Sequence, residues 1–70
     1  MTIGESVRAV RLHRLLSQME LAKLAKTTQV TICRIEANSE AKLSTIIRIA
    51  DALDMSIDDL IGREVKHEQA

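Results

Sequence analysis

The stretch from Ser17 to Ala37, SQMELAKLAKTTQVTICRIEA, constrains the fold more than any other part of the chain. Ser17 followed three residues later by Glu20 is a capping box, so a helix is expected from Gln18 to about Ala25. Leu21 and Ala25 lie one turn apart and are expected to face inward, with small Ala22 beside them where a second helix can cross closely. Lys26-Thr27-Thr28 then breaks the period. Thr28 is placed to cap a second helix of about Gln29 to Glu36. In that helix Thr28, Ile32 and Ile35 fall on one face, and Gln29, Val30, Cys33 and Arg34 on the other.

An apolar back with an amide, a small aliphatic group and a guanidinium in front suits a helix laid in a DNA major groove. Two such helices around a tight turn form a helix-turn-helix. SQMELAKLAKTTQVTICRIE resembles the phage repressor, Cro and Xre-like family of helix-turn-helix regulators. The shared pattern is Ser-Gln, then Glu-Leu-Ala, a turn, and Ile-x-x-Ile-Glu in the second helix. LSTIIRIADALDMSIDDLI, Leu43 to Ile61, resembles the fourth and fifth helices of the same family. The match runs from about Ile3 to Ile61, with two separate motifs in the right order and spacing. It implies an all-α, lambda-repressor-like DNA-binding domain of five short helices over residues 1–62, followed by a charged tail, 63–70.

The sequence departs from the family pattern in several places. Lys26 stands where the turn glycine is usual, Asn38 where another glycine follows Ile-x-x-Ile-Glu, and Asp54 where a glycine commonly ends the fourth helix. Leu15 also occupies a frequent glycine position, and Leu12 and Leu24 replace residues that are usually polar. The linker before Leu43 is short and lacks the usual Pro-Ser. If Lys26 adopts the left-handed conformation, its side chain costs roughly 1–2 kcal/mol. Three scattered surface leucines carry no meaning by themselves; the alternative is that Leu12, Leu15 and Leu24 form an apolar patch for a partner protein.

Taken in order, Met1-Thr2 is expected to be loose. The first helix is expected from Ile3 to about Leu15, with Ile3, Val7, Val10 and then Leu15 or Leu16 as its apolar stripe. Arg8, Arg11 and Arg14 recur along it at a spacing of three. Ala37 to Lys42 reads as a polar loop. Leu43 to Leu53 reads as the fourth helix, apolar at Leu43, Ile46, Ile47, Ala50 and Leu53. Ser56 with Asp59 opens a fifth, Ile57 to Ile61, which Gly62 closes. So short a helix leaves Ile57, Leu60 and Ile61 incompletely buried, and part of this surface is expected to meet a second copy, although Leu60 fits the core equally well.

Net charge is zero and the pI about 6.7, which argues weakly against nucleic acid until the charges are mapped. Six basic residues and one acid, Glu20, lie between Arg8 and Arg34, whereas four basic and eight acidic residues follow from Ile35 onward. The half that holds the expected recognition helix is therefore the basic half.

Functional residues follow from side-chain chemistry and from the resemblance. Gln29 is the strongest base reader, since its amide can pair bidentately with adenine, and Val30 suits a thymine methyl. Arg34 suits guanine or a phosphate, with Thr28, Thr31 and Cys33 on or beside the same surface. The resemblance implies that Gln18 donates to a phosphate at a helix N-terminus, and that Asn38 and Ser39 touch the DNA backbone, a role that Glu40 would oppose. Lys23 and Arg14 are further phosphate candidates. It also implies a structural ion pair between Arg11 and Glu36.

Other functions find little support. One cysteine, Cys33, permits no intrachain disulfide, and His13 and His67 have no metal-ligand neighbours at suitable spacing. Cys33 has no adjacent histidine for nucleophilic catalysis, and with two glycines there is no phosphate-cradling loop. No enzyme activity, cofactor or metal is expected. Seventy residues make one small domain without room for a separate ligand-binding domain. No signal peptide or membrane-length apolar run is seen, so the cytoplasm is the expected compartment. The sequence thus reads as a homodimeric, sequence-specific DNA-binding regulator, a repressor acting on a two-fold operator. The competing class is an antitoxin-like component that binds a partner protein and regulates its own promoter.

Overall fold

In a computed structural model, residues 2–61 are described, Ile61 by its backbone alone. The expected closing role of Gly62, the tail 63–70 and the side chain of Ile61 lie outside the described residues. Among the described residues the chain is all helical: α1 (Ile3–His13), α2 (Gln18–Leu24), α3 (Gln29–Asn38), α4 (Leu43–Ala52) and α5 (Ile57–Ile61). Helix α3 packs on both α1 and α2, α4 closes against α2, and α5 bridges α1 and α4.

Most helix starts are fixed by side chains. Thr28 Oγ1 accepts from Thr31 N, and Ser56 Oγ from Asp59 N. Ser17 and Glu20 form the full capping box. Thr2 is not loose: with Glu5 it forms a second capping box, the T-x-x-E signal standing plainly at positions 2–5. Helix α4 starts at Lys42 without a side-chain cap. The carboxylates of Glu5 and Glu20 lie below the usual range, first because each accepts from the backbone N–H of its capping residue. Their capping is therefore present above the ordinary carboxylate pKa and is lost as pH falls through the lowered one.

Helices α1, α2 and α4 end in one way. In α1, Leu16 N donates to Arg11 O and Leu15 N to Leu12 O. Thr27 N to Ala22 O with Lys26 N to Lys23 O, and Met55 N to Ala50 O with Asp54 N to Asp51 O, repeat the pattern. This is the Schellman motif, which requires a left-handed residue just past the helix. Those residues are Leu15 (φ 60), Lys26 (φ 58) and Asp54 (φ 56), and Ser39 (φ 60) ends α3 in the same conformation. All four are non-glycine, so each turn retains some steric cost.

The core consists of Val7, Leu21, Ala22, Ala25, Ile32, Ile35, Ile49, Ala50, Leu53 and Leu60. One alternative is decided and two expectations need correction. Helix α1 stops at His13, so Leu15 leaves the apolar stripe and is 88% exposed, while half-buried Leu16 turns inward. In α4 the inner face is centred on Ile49, Ala50 and Leu53, which leaves Leu43 and Ile47 exposed, because periodicity locates a face less sharply than its edges. Leu60 is core at 2% exposure, so its side chain is not free for a second copy; Ile57 is half-buried.

Gly4 explains how closely α1 and α3 approach. A Cβ there would overlap the Ile35 carbonyl oxygen and stand 2.8 Å from Ser39 Oγ. Gly4 N donates to that Ser39 hydroxyl at 3.1 Å. Gly4→Ala is therefore expected to destabilise folding by about 1–3 kcal/mol through overpacking. Lys26→Gly, which relieves left-handed strain, is expected to stabilise by about 0.5–1 kcal/mol after the entropy of glycine is counted. Urea denaturation of both variants checks the opposite signs.

Candidate nucleic-acid interface

The turn between α2 and α3 sets the presentation of α3. Thr27 is half-buried beneath the Schellman corner, and Thr28 leaves the turn in an extended conformation to cap α3. The back of α3 is closed, with Ile32 and Ile35 fully buried. Its front is open: Gln29, Val30, Cys33 and Arg34 are all exposed, as the periodicity predicts. Val30 is 59% exposed, an apolar group that folding alone does not employ. Thr28 is exposed and half-buried Thr31 lies beside it, their hydroxyls 3.0 Å apart, so both belong as much to the cap as to the open face.

Glu36 locks α3 in place. Arg11 Nε donates to Glu36 Oε2 at 2.6 Å and Arg11 Nη2 to Oε1 at 3.1 Å. Arg11 Nη1 donates to the Leu16 carbonyl at 2.7 Å, and Gln18 Nε2 donates to Glu36 Oε1 at 3.1 Å. The Arg11 and Glu36 side chains are only 9% and 6% exposed. Among the described residues no buried side-chain polar atom lacks a partner, the condition under which a buried pair holds together. Arg11 is pushed above its ordinary pKa, chiefly by its hydrogen bond to Glu36, and stays charged.

The other sequence-predicted residues fall into two groups. Gln18, expected to donate to a phosphate, already gives one N–H to Glu36; its second N–H and its oxygen remain. Asn38 is not in a loop: it is exposed as the last residue of α3, which runs two residues further than expected. Ser39 is half-buried and its hydroxyl already accepts from Gly4 N, while its proton is still free to donate. The line of arginines splits, with Arg11 turned inward, Arg8 exposed, and Arg14 lining a groove between α1 and α5. Arg14, the residue that caps the end of α1, therefore sits between α1 and α5 and not on α3. Lys23 on α2 is exposed. Sequence reasoning missed the Gln18–Glu36 bond, the Leu16 carbonyl and Gly4, none of which has a spacing signal.

The paired role of Arg11 and Glu36 is open to measurement. Arg11→Ala and Glu36→Ala should each cost about 3–5 kcal/mol, since each strands a buried charge. The double variant should lose less than the sum, which a double-mutant cycle by chemical denaturation reads directly. Additive losses would mean the two residues are not partners.

Comparison with known proteins adds independent support. The helix-turn-helix family model matches residues 7–60. The immunity repressor protein of Bacillus phage phi105 is 34% identical over 73 aligned positions, taking in all of this chain and 51% of the relative. The chain thus spans about half the length of that curated relative. Among solved structures, the P22 c2 repressor protein in complex with synthetic operator 9T is similar at a TM-score of 0.79 and 26% identity, over 87% of this chain and 94% of that one. A chain of the SinR protein/SinI protein complex gives a TM-score of 0.81 at 25% identity, over 99% of this chain and 67% of that one.

Proposed function

This chain belongs to the helix-turn-helix family, that of the phage repressors and Cro and Xre-like regulators, and from that premise we propose that it binds double-stranded DNA sequence-specifically as a homodimer and represses transcription. The observation that carries the proposal is the outward face of α3. Gln29, Val30, Cys33 and Arg34 stand exposed on a helix whose back is buried and whose end is held by Glu36. Preorganised presentation of this kind lets a short helix enter a major groove without ordering itself at the moment of binding.

In this reading Gln29 pairs with adenine and Val30 packs against a thymine methyl. Arg34, further along α3, serves a phosphate or a guanine. Gln18, Lys23, Asn38 and Ser39 contact the backbone, which positions the protein but carries no sequence information. Two copies reading consecutive major grooves place their half-sites about 34 Å apart on a two-fold operator. One half-site alone gives too little discrimination over a genome, so pairing is part of the function. The cytoplasm is the matching compartment, and no catalytic step or cofactor is needed. The P22 c2 repressor complex with an operator and the phi105 immunity repressor support the DNA-binding and repressing parts of the proposal.

A second reading adds a protein partner at Leu12, Leu15 and Leu24. Leu15 favours it, being 88% exposed and held at φ 60, a position where a leucine adds nothing to the fold. The SinR/SinI neighbour is itself a complex of two proteins.

Gln29→Ala should weaken binding to the preferred operator by about 1–3 kcal/mol and relax preference at one base pair. Lys23→Ala should weaken all sequences alike and flatten the salt dependence. Salt titrations on operator and scrambled DNA separate the two effects. Equal loss on both DNAs for Gln29→Ala would mean that this residue does not read bases. Sedimentation at micromolar concentration, with and without operator, should show a dimer; a strict monomer in both conditions would end the homodimer reading.

A further inference from the structure

We propose that Glu36 is a positioning residue for DNA binding. Its carboxylate holds the Gln18 amide so that one N–H is engaged by α3 and the other, on the same nitrogen, is presented to a DNA phosphate. This inference rests on the reading that Gln18 contacts the DNA backbone, and adds what aims that contact. Gln18 is the first residue of α2 and is half-buried. Its Nε2 donates to Glu36 Oε1 at 3.1 Å. The orientation of that amide is forced. A carboxylate paired with a guanidinium only accepts, so the glutamine turns its nitrogen, and not its oxygen, toward α3. A primary amide is planar and carries both N–H groups on one nitrogen. Fixing the first therefore limits where the second can point.

The surroundings of Glu36 suit this role. Its side chain is 6% exposed and takes two hydrogen bonds from Arg11, at 2.6 and 3.1 Å, so the acceptor is itself held in place before DNA arrives. Arg11 also offsets its charge. A phosphate approaching Gln18 meets a neutral pair and not a bare anion, which would repel it. Gln18 brings a donor without adding charge of its own. Within α3, Gln29 and Glu36 are seven residues apart and so lie on one side of the helix. The base reader and the backbone donor are thus both referred to one rigid element. An amide already in place also avoids the ordering cost of a flexible glutamine side chain at the moment of binding. A Gln18 that nothing held would make the same phosphate contact more weakly.

The direct readout is the Gln18 side-chain amide in the 70-residue chain, followed by NMR free and bound to a duplex selected from a random-sequence pool. Its signals are assigned by their loss in Gln18→Ala. One of the two protons should be protected from exchange in the free protein, and the second should become so on binding while the first is unchanged. If the first loses its protection on DNA, Glu36 competes with the phosphate and the proposal is overturned. A double-mutant cycle on DNA affinity separates positioning from a merely structural role. Glu36→Asp keeps the charge opposite Arg11 but shortens the side chain by a methylene, and the same spectrum should show the Gln18 bond gone. At a temperature where every variant is folded by its thermal melt, Gln18→Ala should weaken binding by about tenfold on selected and scrambled duplexes alike. Glu36→Asp should lose a similar factor, and the double variant no more than Gln18→Ala alone. Losses that multiply in the double variant, or an unchanged Glu36→Asp affinity, overturn the positioning role and leave the phosphate contact standing. No loss for Gln18→Ala overturns the phosphate contact itself, and the positioning role with it.

Discussion

The Glu36 carboxylate is the point at which three helices are tied together. It belongs to α3, takes two hydrogen bonds from Arg11 of α1 and one from Gln18 of α2, while Arg11 also reaches the Leu16 carbonyl between α1 and α2. Apolar packing by Ile32 and Ile35 gives α3 adhesion but leaves sliding and rotation inexpensive. A charge-assisted, bidentate contact has a narrow geometry, and that narrowness sets the rotation of α3 about its own axis. Which side chains face outward at Gln29, Val30 and Arg34 therefore depends on a bond made at the other end of the helix.

The helix corners show a second economy. Three of them use the Schellman arrangement with no glycine, so the chain folds through Leu15, Lys26 and Asp54 in a conformation that side chains resist. The hydrogen bonds and the inward turn of Leu16, Thr27 and Met55 offset that resistance. The stability of so small a domain is drawn from few sources, and each of these corners carries a steric cost that a glycine would not.

Much of this was legible in the sequence because local rules act within one turn of helix. The Ser17/Glu20 and Ser56/Asp59 starts, the Thr28 cap and the inward pair Ile32 and Ile35 depend on spacing alone. The family likeness supplied the Arg11–Glu36 pair, which no spacing rule yields across so many residues. What could not be read was set by where helices meet. Leu43 and Ile47 fit the α4 pattern yet lie outside the region a neighbour covers. The five residues of α5 leave Leu60 open between core and a second copy, because burial by α1 and α4 is not written in them. The sequence places Asn38 in a loop because the left-handed stop occurs at Ser39, a residue with no such signal.

The Gly4–Ser39 hydrogen bond has a geometric implication for the start of the chain. It joins the first turn of α1 to the stop of α3, with Thr2 folded back on Glu5 as the cap. The path into α1 is therefore anchored at the corner where α3 turns toward α4. Whatever is fused ahead of Thr2, whether an affinity tag or a fluorescent protein, begins its course near the C-terminal stop of α3. An engineered label placed there starts beside Ser39, at the end of α3 opposite to Gln29 and Val30.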